Sequence, residues 1–302
     1  MGNYLTEHGY IPWGKSDVLR KGLLDILNGR EQIFHFLKEH YDGLNDDLKS
    51  FHHAYIEWKR GDKEIHVGES GTLYRFLQCL AWSQGLDKVF IPEGNLVKRV
   101  EEFFLNDPDI INWPLERLLT IEGGTTQRAS AVILLGNREK IENPPPEIEM
   151  TYKAKAHWES QRSIGKLWIP CYDERILSQA AAFHSLFFHR KAEFRPKQAE
   201  DYCFARAFSY ITKEEGERLW PKLKTHESSR IEEMEKELKK ANMEGYVDSK
   251  DHRVVQAIAM YKKIKGIGRE GGFSYPSCVS KSWPQFWKFL SDLCNGNIPK
   301  II

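Results

Sequence analysis

A helical repeat of apolar residues returns along the whole length of this chain, and short strand-like stretches separate the repeats. Leu19, Leu23, Leu24 and Leu27 form one face of a predicted helix that Ser16 can cap and Gly29 ends. Leu73, Phe76, Leu77 and Leu80 do the same after Gly71-Thr72, closing near Gly85. Further helices are expected after Thr125-Thr126, from Asp173 or Glu174, from Asp201, after Asp251 and after Trp283. One more spans 227–242, with Ile231, Met234 and Leu238 turned inward. The strand-like stretches lie at 55–58, 64–67, 88–91, 118–121 and 166–171. Such alternation predicts an α/β or α+β class with a strand-plus-helix unit repeated internally. The Pro144-Pro145-Pro146 run reads as a connection between elements.

A length of 302 residues is enough for two domains, each with its own core. A net charge of +1 supplies no basic field for nucleic acid, so the nine tryptophans read as core and not as stacking platforms. Trp283, Phe286 and Phe289, at helical spacing, are expected inside. No apolar run approaches the ~20 residues that span a bilayer, so no membrane partner is expected. Met1-Gly2-Asn3-Tyr4-Leu5-Thr6 fits the loose myristoylation pattern, but no polybasic second anchor follows, and the segment reads as the approach to a first strand. Cys79, Cys171, Cys203, Cys278 and Cys294 show no metal-ligand pairing and read as buried free thiols in a reducing cytoplasm.

Cations recur at the mouths of the predicted helices. Lys15, Arg20, Arg75, Arg230, Arg253 and Lys281 each stand in a short motif there, and Asp201 and Glu227 fall among them. A helix N-terminus offers unpaired N–H groups and the positive end of the dipole. An added arginine or lysine contributes charge-assisted hydrogen bonds of roughly 1.5–3 kcal/mol each. With almost no net charge overall, the repeated device points to a polyanionic small molecule, that is, to chemistry on phosphates.

The order of these motifs carries a resemblance. Pro12-Trp13-Gly14-Lys15-Ser16-Asp17-Val18-Leu19-Arg20, Gly68-Glu69-Ser70-Gly71-Thr72-Leu73-Tyr74-Arg75 and Thr125-Thr126-Gln127 fall in the first half. His226-Glu227-Ser228-Ser229-Arg230, Asp251-His252-Arg253 and Lys281-Ser282-Trp283-Pro284-Gln285-Phe286 follow in the second. Together they resemble the enolpyruvyl transferases, and among these the 5-enolpyruvylshikimate-3-phosphate (EPSP) synthase family of the shikimate pathway. The resemblance implies an inside-out α/β barrel of two domains built from repeated βαβαββ units, with one or more units shortened. Residues 1–13 plus 172–302 would form the C-terminal-type domain, on the phosphoenolpyruvate (PEP) acid–base side. Residues 14–171 would form the N-terminal-type domain, on the acceptor side, with the active site in the cleft between them.

The family's reaction adds a substrate hydroxyl to C2 of PEP and then eliminates phosphate, leaving an enol ether. The resemblance implies that Lys15, Arg75, Arg230, Arg253 and Lys281 surround PEP, and that Ser16, Arg20, Thr125, Thr126 and Gln127 hold a phosphorylated acceptor, by default shikimate-3-phosphate. Asp201 is the expected base for the hydroxyl, Glu227 exchanges the proton at C3, and His226 and Lys15 complete the catalytic set. No metal and no cofactor are implied, and a cytoplasmic monomer is expected. Three features depart from the family: His226 stands for a lysine, Asn95 for an arginine in Glu93-Gly94-Asn95-Leu96, and the chain is short between Gln127 and Asp201. Two alternatives stay open: another acceptor such as a nucleotide sugar, and a catalytically silent anion-binding relative.

Overall fold

The computed structural model describes residues 2–136, 138, 140–224, 229–267 and 272–300. The chain divides into two compact units, Met1–Pro12 with Tyr172–Ile302, and Trp13–Cys171. It opens with α1 (Gly2–Glu7), α2 (Lys15–Leu27), α3 (Gln32–Glu39) and α4 (Asp46–Arg60). Then come β1 (Glu64–Gly68), α5 (Gly71–Ser83), β2 (Val89–Pro92), α6 (Asn95–Phe103), α7 (Leu115–Leu118), α8 (Gln127–Leu135) and α9 (Pro146–Ser163). The second half carries α10 (Glu174–His189), α11 (Tyr202–Ala207), α12 (Lys213–Leu219), α13 (Arg230–Glu244), α14 (His252–Lys265) and α15 (Phe286–Cys294). The class is mixed helix and strand, with helix dominant. Among the described residues the sheet is one parallel pair, β1 with β2, in the register Ile65 to Phe90.

In the Trp13–Cys171 unit the apolar face of α2 is buried at Leu19, Leu23, Leu24 and Ile26, against α3, α4, α5, α8 and α9. Gly22 lets these helices approach, because a Cβ there would stand 2.4 Å from the Phe51 ring. Parallel strands need a crossover, and α5 supplies it between β1 and β2. In the other unit α14 is buried nearly all round, as a central helix must be, at Val254, Val255, Ala257, Ile258, Ala259 and Met260. Trp283, Phe286 and Phe289 are wholly buried beside it, and the Trp283 indole donates to the Tyr10 carbonyl at 2.7 Å.

Several local expectations are corrected. Residues 55–58 are helical, inside α4, because Asn45 caps that helix at the Leu48 amide and Gly61 ends it in the left-handed region at φ 82°. Leu48, Phe51 and Tyr55 then share its buried face. Residues 118–121 close α7 and enter a turn. Residues 166–171 do alternate, with Trp168 buried between exposed Leu167 and Ile169, but pair with no strand among the described residues. The first residues form helix α1, not the approach to a strand. Gly14, not Ser16, occupies the cap position of α2, since the Ser16 hydroxyl accepts from Arg20. Of the thiols, Cys79 and Cys203 are buried, whereas Cys171 is exposed.

Candidate functional sites in the two units

In the Trp13–Cys171 unit side-chain bonds near their N-terminal ends join α5 to α8, and α2 to α8 through α9. Arg20, one turn into α2, donates through Nε to Thr151 Oγ1 at 2.7 Å, and Thr151 donates on to Ser130 Oγ of α8 at 2.9 Å. Its Nη1 is held by Ser16, and Nη2 reaches the Glu147 carbonyl at 3.2 Å. Arg75, in the second turn of α5, donates through Nη1 to the Gln127 side chain at 2.5 Å and to the Gly71 carbonyl at 3.2 Å. Gln127 is the first residue of α8, so α5 is tied to the start of α8, and α2 reaches the same helix at Ser130 through Thr151. Thr125 accepts from the Gln127 amide at 3.4 Å, and Thr126 is the residue before the helix. Lys15 opens α2 and pairs with Asp47 at 2.6 Å.

Behind this face sits a carboxylate that motif reading does not reveal. The Glu122 side chain is wholly buried, pairs with Arg75 Nε and with Arg128 Nη2 (3.1 Å), and accepts the Leu105 amide at 3.0 Å. Its backbone is left-handed at φ 48°, an uncommon conformation for a residue with a Cβ, and Gly123 and Gly124 follow it at positive φ. Arg75 also lies 3.5 Å from the centre of the Phe104 ring. Burial pulls the Arg75 guanidinium down to about 10, with Glu122 opposing, so it remains charged at neutral pH. Two buried guanidiniums thus share one carboxylate, and the excess is positive.

In the other unit the cations gather at the start of α14. Asp251 caps that helix, accepting from the Arg253 amide at 2.8 Å, and its second oxygen pairs with Arg230 Nε at 2.7 Å. Burial alone would raise the Asp251 carboxyl, but Arg230 and His252 outweigh it and hold the group well below the usual carboxylate range. Arg253 is 5% exposed, and its Nη1 is buried with no hydrogen-bond partner among the described residues. Burial and then Arg175 lower the Arg253 guanidinium, while Glu200 and Asp173 oppose them. Asp173 caps α10 and Arg175 pairs with Glu200 at 2.8 Å, so this network surrounds Arg253 electrostatically.

Asp201 is 4% exposed and accepts from Gln179 Nε2 at 3.0 Å and from the Lys197 and Gln198 amides at 2.9 and 3.1 Å. It acts there as a cap on the turn before α11. Lys281 ends the turn Pro276–Lys281 that packs on α14, and the next residue, Ser282, accepts from Gln256 at 3.1 Å. Asn95 is the first residue of α6. His226 and Glu227 lie outside the described residues. The residues are therefore grouped as Ser16, Arg20, Arg75 and Gln127 in one unit, and Arg230 and Arg253 in the other. Of the supporting partners, only Asp173 has a sequence signal, as a helix cap; Glu122, Thr151 and Arg128 have none. Among the described residues no group of three or more His, Cys, Asp or Glu side chains is arranged to hold a metal ion. No described helix is long and apolar enough to cross a membrane. No family model, curated protein or solved structure matches this chain.

Proposed function

We propose that the protein is an enolpyruvyl transferase of the EPSP synthase type, moving the enolpyruvyl group of PEP to a phosphorylated hydroxyl acceptor, by default shikimate-3-phosphate. The observation that carries the reading is the unpartnered, buried Arg253 Nη1 in the first turn of a 14-residue helix. A buried guanidinium nitrogen without an acceptor is costly, and an anionic oxygen relieves it. The linked N-terminal ends of α2, α5 and α8 support a second anion in the same way.

In this reading Arg230, Arg253 and Lys281 neutralise the phosphate and carboxylate of PEP, with Lys15 and Arg75. Ser16, Arg20, Thr125, Thr126 and Gln127 hold the acceptor. The acceptor hydroxyl loses its proton to Asp201 as its oxygen adds to C2, and C3 gains a proton from Glu227, beside His226. Loss of the C3 proton and of phosphate then gives the enol ether. The Asp201 carboxylate has about four lone-pair sites, and three bonds leave one for the hydroxyl. The reading needs no metal or cofactor and carries a cytoplasmic, monomeric protein with it. It also implies that the family's barrel of repeated βαβαββ units is here cut back to a helix-dominated form.

A second reading, a catalytically silent anion-binding relative, is favoured by one observation. Arg20 and Arg75 already donate to acceptors of the protein itself, so an incoming ligand must displace bonds. Titration of the whole chain with PEP and shikimate-3-phosphate, with phosphate release assayed in parallel, separates the two. Release with both substrates supports the transferase, and binding without release supports the silent relative. Arg253→Ala and Lys281→Ala are each expected to weaken PEP binding severely while leaving the circular dichroism unchanged. If the Arg253→Ala protein binds PEP like its parent, the reading fails.

A further inference from the structure

The C-terminal half of α5 borders a cavity of ≈ 530 Å³ that the phosphate chemistry does not use. Small-molecule sites run from roughly 300 to 1,000 Å³ and combine apolar walls with a few placed polar groups. Tyr74, Gln78 and Trp82 line this one, spaced by four along one stripe of α5, with Phe90 of β2 and Asn106 facing them. Arg75 follows Tyr74 but lies about 100° around the helix, so the stripe is a different face. The Tyr74 and Phe90 rings meet edge-on, with centroids 5.8 Å apart.

Gln78 is 4% exposed, and its Oε1 is buried without a hydrogen-bond partner among the described residues, while Nε2 donates to Asn106 Oδ1 at 3.2 Å. Exchanging the two ends of the amide moves the vacancy to the nitrogen and does not remove it. A hydroxyl satisfies either arrangement, because it both donates and accepts. The charges at the rim are committed elsewhere: Lys88 donates to the Asp62 carbonyl at 2.5 Å, and Asp87 pairs with Lys63 at 2.9 Å. The lining mixes polar and apolar surface in about equal parts, and its charged groups are already paired, so a neutral ligand with both an apolar body and a polar group fits it. We propose that this cavity is a binding site for a small neutral aromatic compound bearing a hydroxyl, of the phenol class, anchored on the Gln78 amide between Tyr74, Trp82 and Phe90. The proposal is separate from the transferase reading and stands or falls without it.

Fluorine NMR titration of the full chain with para-fluorophenol, and with fluorobenzene as the ring lacking the hydroxyl, tests it. The parent protein is expected to bind para-fluorophenol about tenfold more tightly, the worth of one hydrogen bond to a buried amide. Gln78→Leu is expected to erase that preference. Val89→Trp, at an exposed position on the cavity wall, is expected to block both probes, and it serves if the Gln78 variant does not fold. No binding by the parent at millimolar concentration overturns the proposal. So does equal affinity for the two probes, a preference that survives Gln78→Leu, or unchanged binding in Val89→Trp.

Discussion

Removing the Asp25 carboxylate should cost the Trp13–Cys171 unit a large share of its stability. Asp25 lies on α2 and is wholly buried. It accepts the Trp158 indole N–H at 2.7 Å, the Trp168 indole N–H at 3.1 Å and the Ile33 amide at 2.9 Å. One side chain thus joins α2 to α3, to α9 and to the extended stretch around Trp168. Asp25→Ala leaves three donors without an acceptor where water does not reach, since both indoles are 2% exposed. At roughly 1–3 kcal/mol per orphaned group the gross loss is several kcal/mol, and release from burying a charge returns part of it. A net loss of about 4 kcal/mol is expected, against domain stabilities of about 5–15 kcal/mol. With a urea slope of about 2 kcal/mol/M, the midpoint followed by circular dichroism should fall by about 2 M. Asp25→Asn keeps one acceptor oxygen and should fall between Ala and the parent. Burial raises the Asp25 carboxyl, and the indole and amide bonds only partly counter it. The folded state therefore holds this proton more tightly than the unfolded chain. Stability from that proton is full below the ordinary carboxylate value of ~3.9 and is lost as pH rises through the folded value. The gap between parent and Asp25→Ala should accordingly narrow from pH ~4 upward. A midpoint for Asp25→Ala within error of the parent would refute the argument.

Three further perturbations follow the same logic. Glu122→Leu leaves the Arg75 and Arg128 guanidiniums buried without their shared carboxylate and is expected to cost about 3–5 kcal/mol, read as a lowered thermal midpoint; an unchanged midpoint would show that solvent reaches the pair. Gly22→Ala places a methyl 2.4 Å from Phe51 and 2.8 Å from Ile33. Overpacking of about 1–3 kcal/mol should appear in urea unfolding, and a neutral result would mean that the ring moves aside cheaply. His52 has both ring nitrogens buried without hydrogen-bond partners among the described residues, and burial, then His53 and Lys38, lower its pKa. The unfolded chain therefore binds this proton first, and stability should fall as pH drops below ~6.5 toward the folded value. His52→Phe should flatten that part of the stability profile, and an unaltered slope would remove His52 from the account.

The elements that periodicity identifies are those whose own residues settle the matter. Helices α2, α5 and α13 each carry an apolar stripe at three- and four-residue spacing, and their buried faces include it. Residues 55–58 mislead because Tyr55, Ile56 and Trp58 have strand-prone side chains, while the decisive signals sit at the helix ends, in Asn45 and Gly61. At 166–171 the strand-like composition misleads because a strand also needs a neighbour, and no local pattern reports one. The site divides in the same way. Gln127, Arg230 and Arg253 are visible because each stands in the first turn of a helix, and Arg20 and Arg75 because each follows one in a short motif. What fixes their direction is invisible: Arg20 bonds Thr151 across 131 residues, and Arg75 bonds Glu122 across 47. The carboxylate at Glu122 stands on a left-handed backbone, with Gly123 and Gly124 following at positive φ, and its partners exist only once α5 and α8 have packed. Motif and fold therefore constrain different things. The short motif sets where a positive charge can be placed, and the distant acceptor decides whether that charge is spent inside the protein or, as at Arg253, left with a nitrogen to offer.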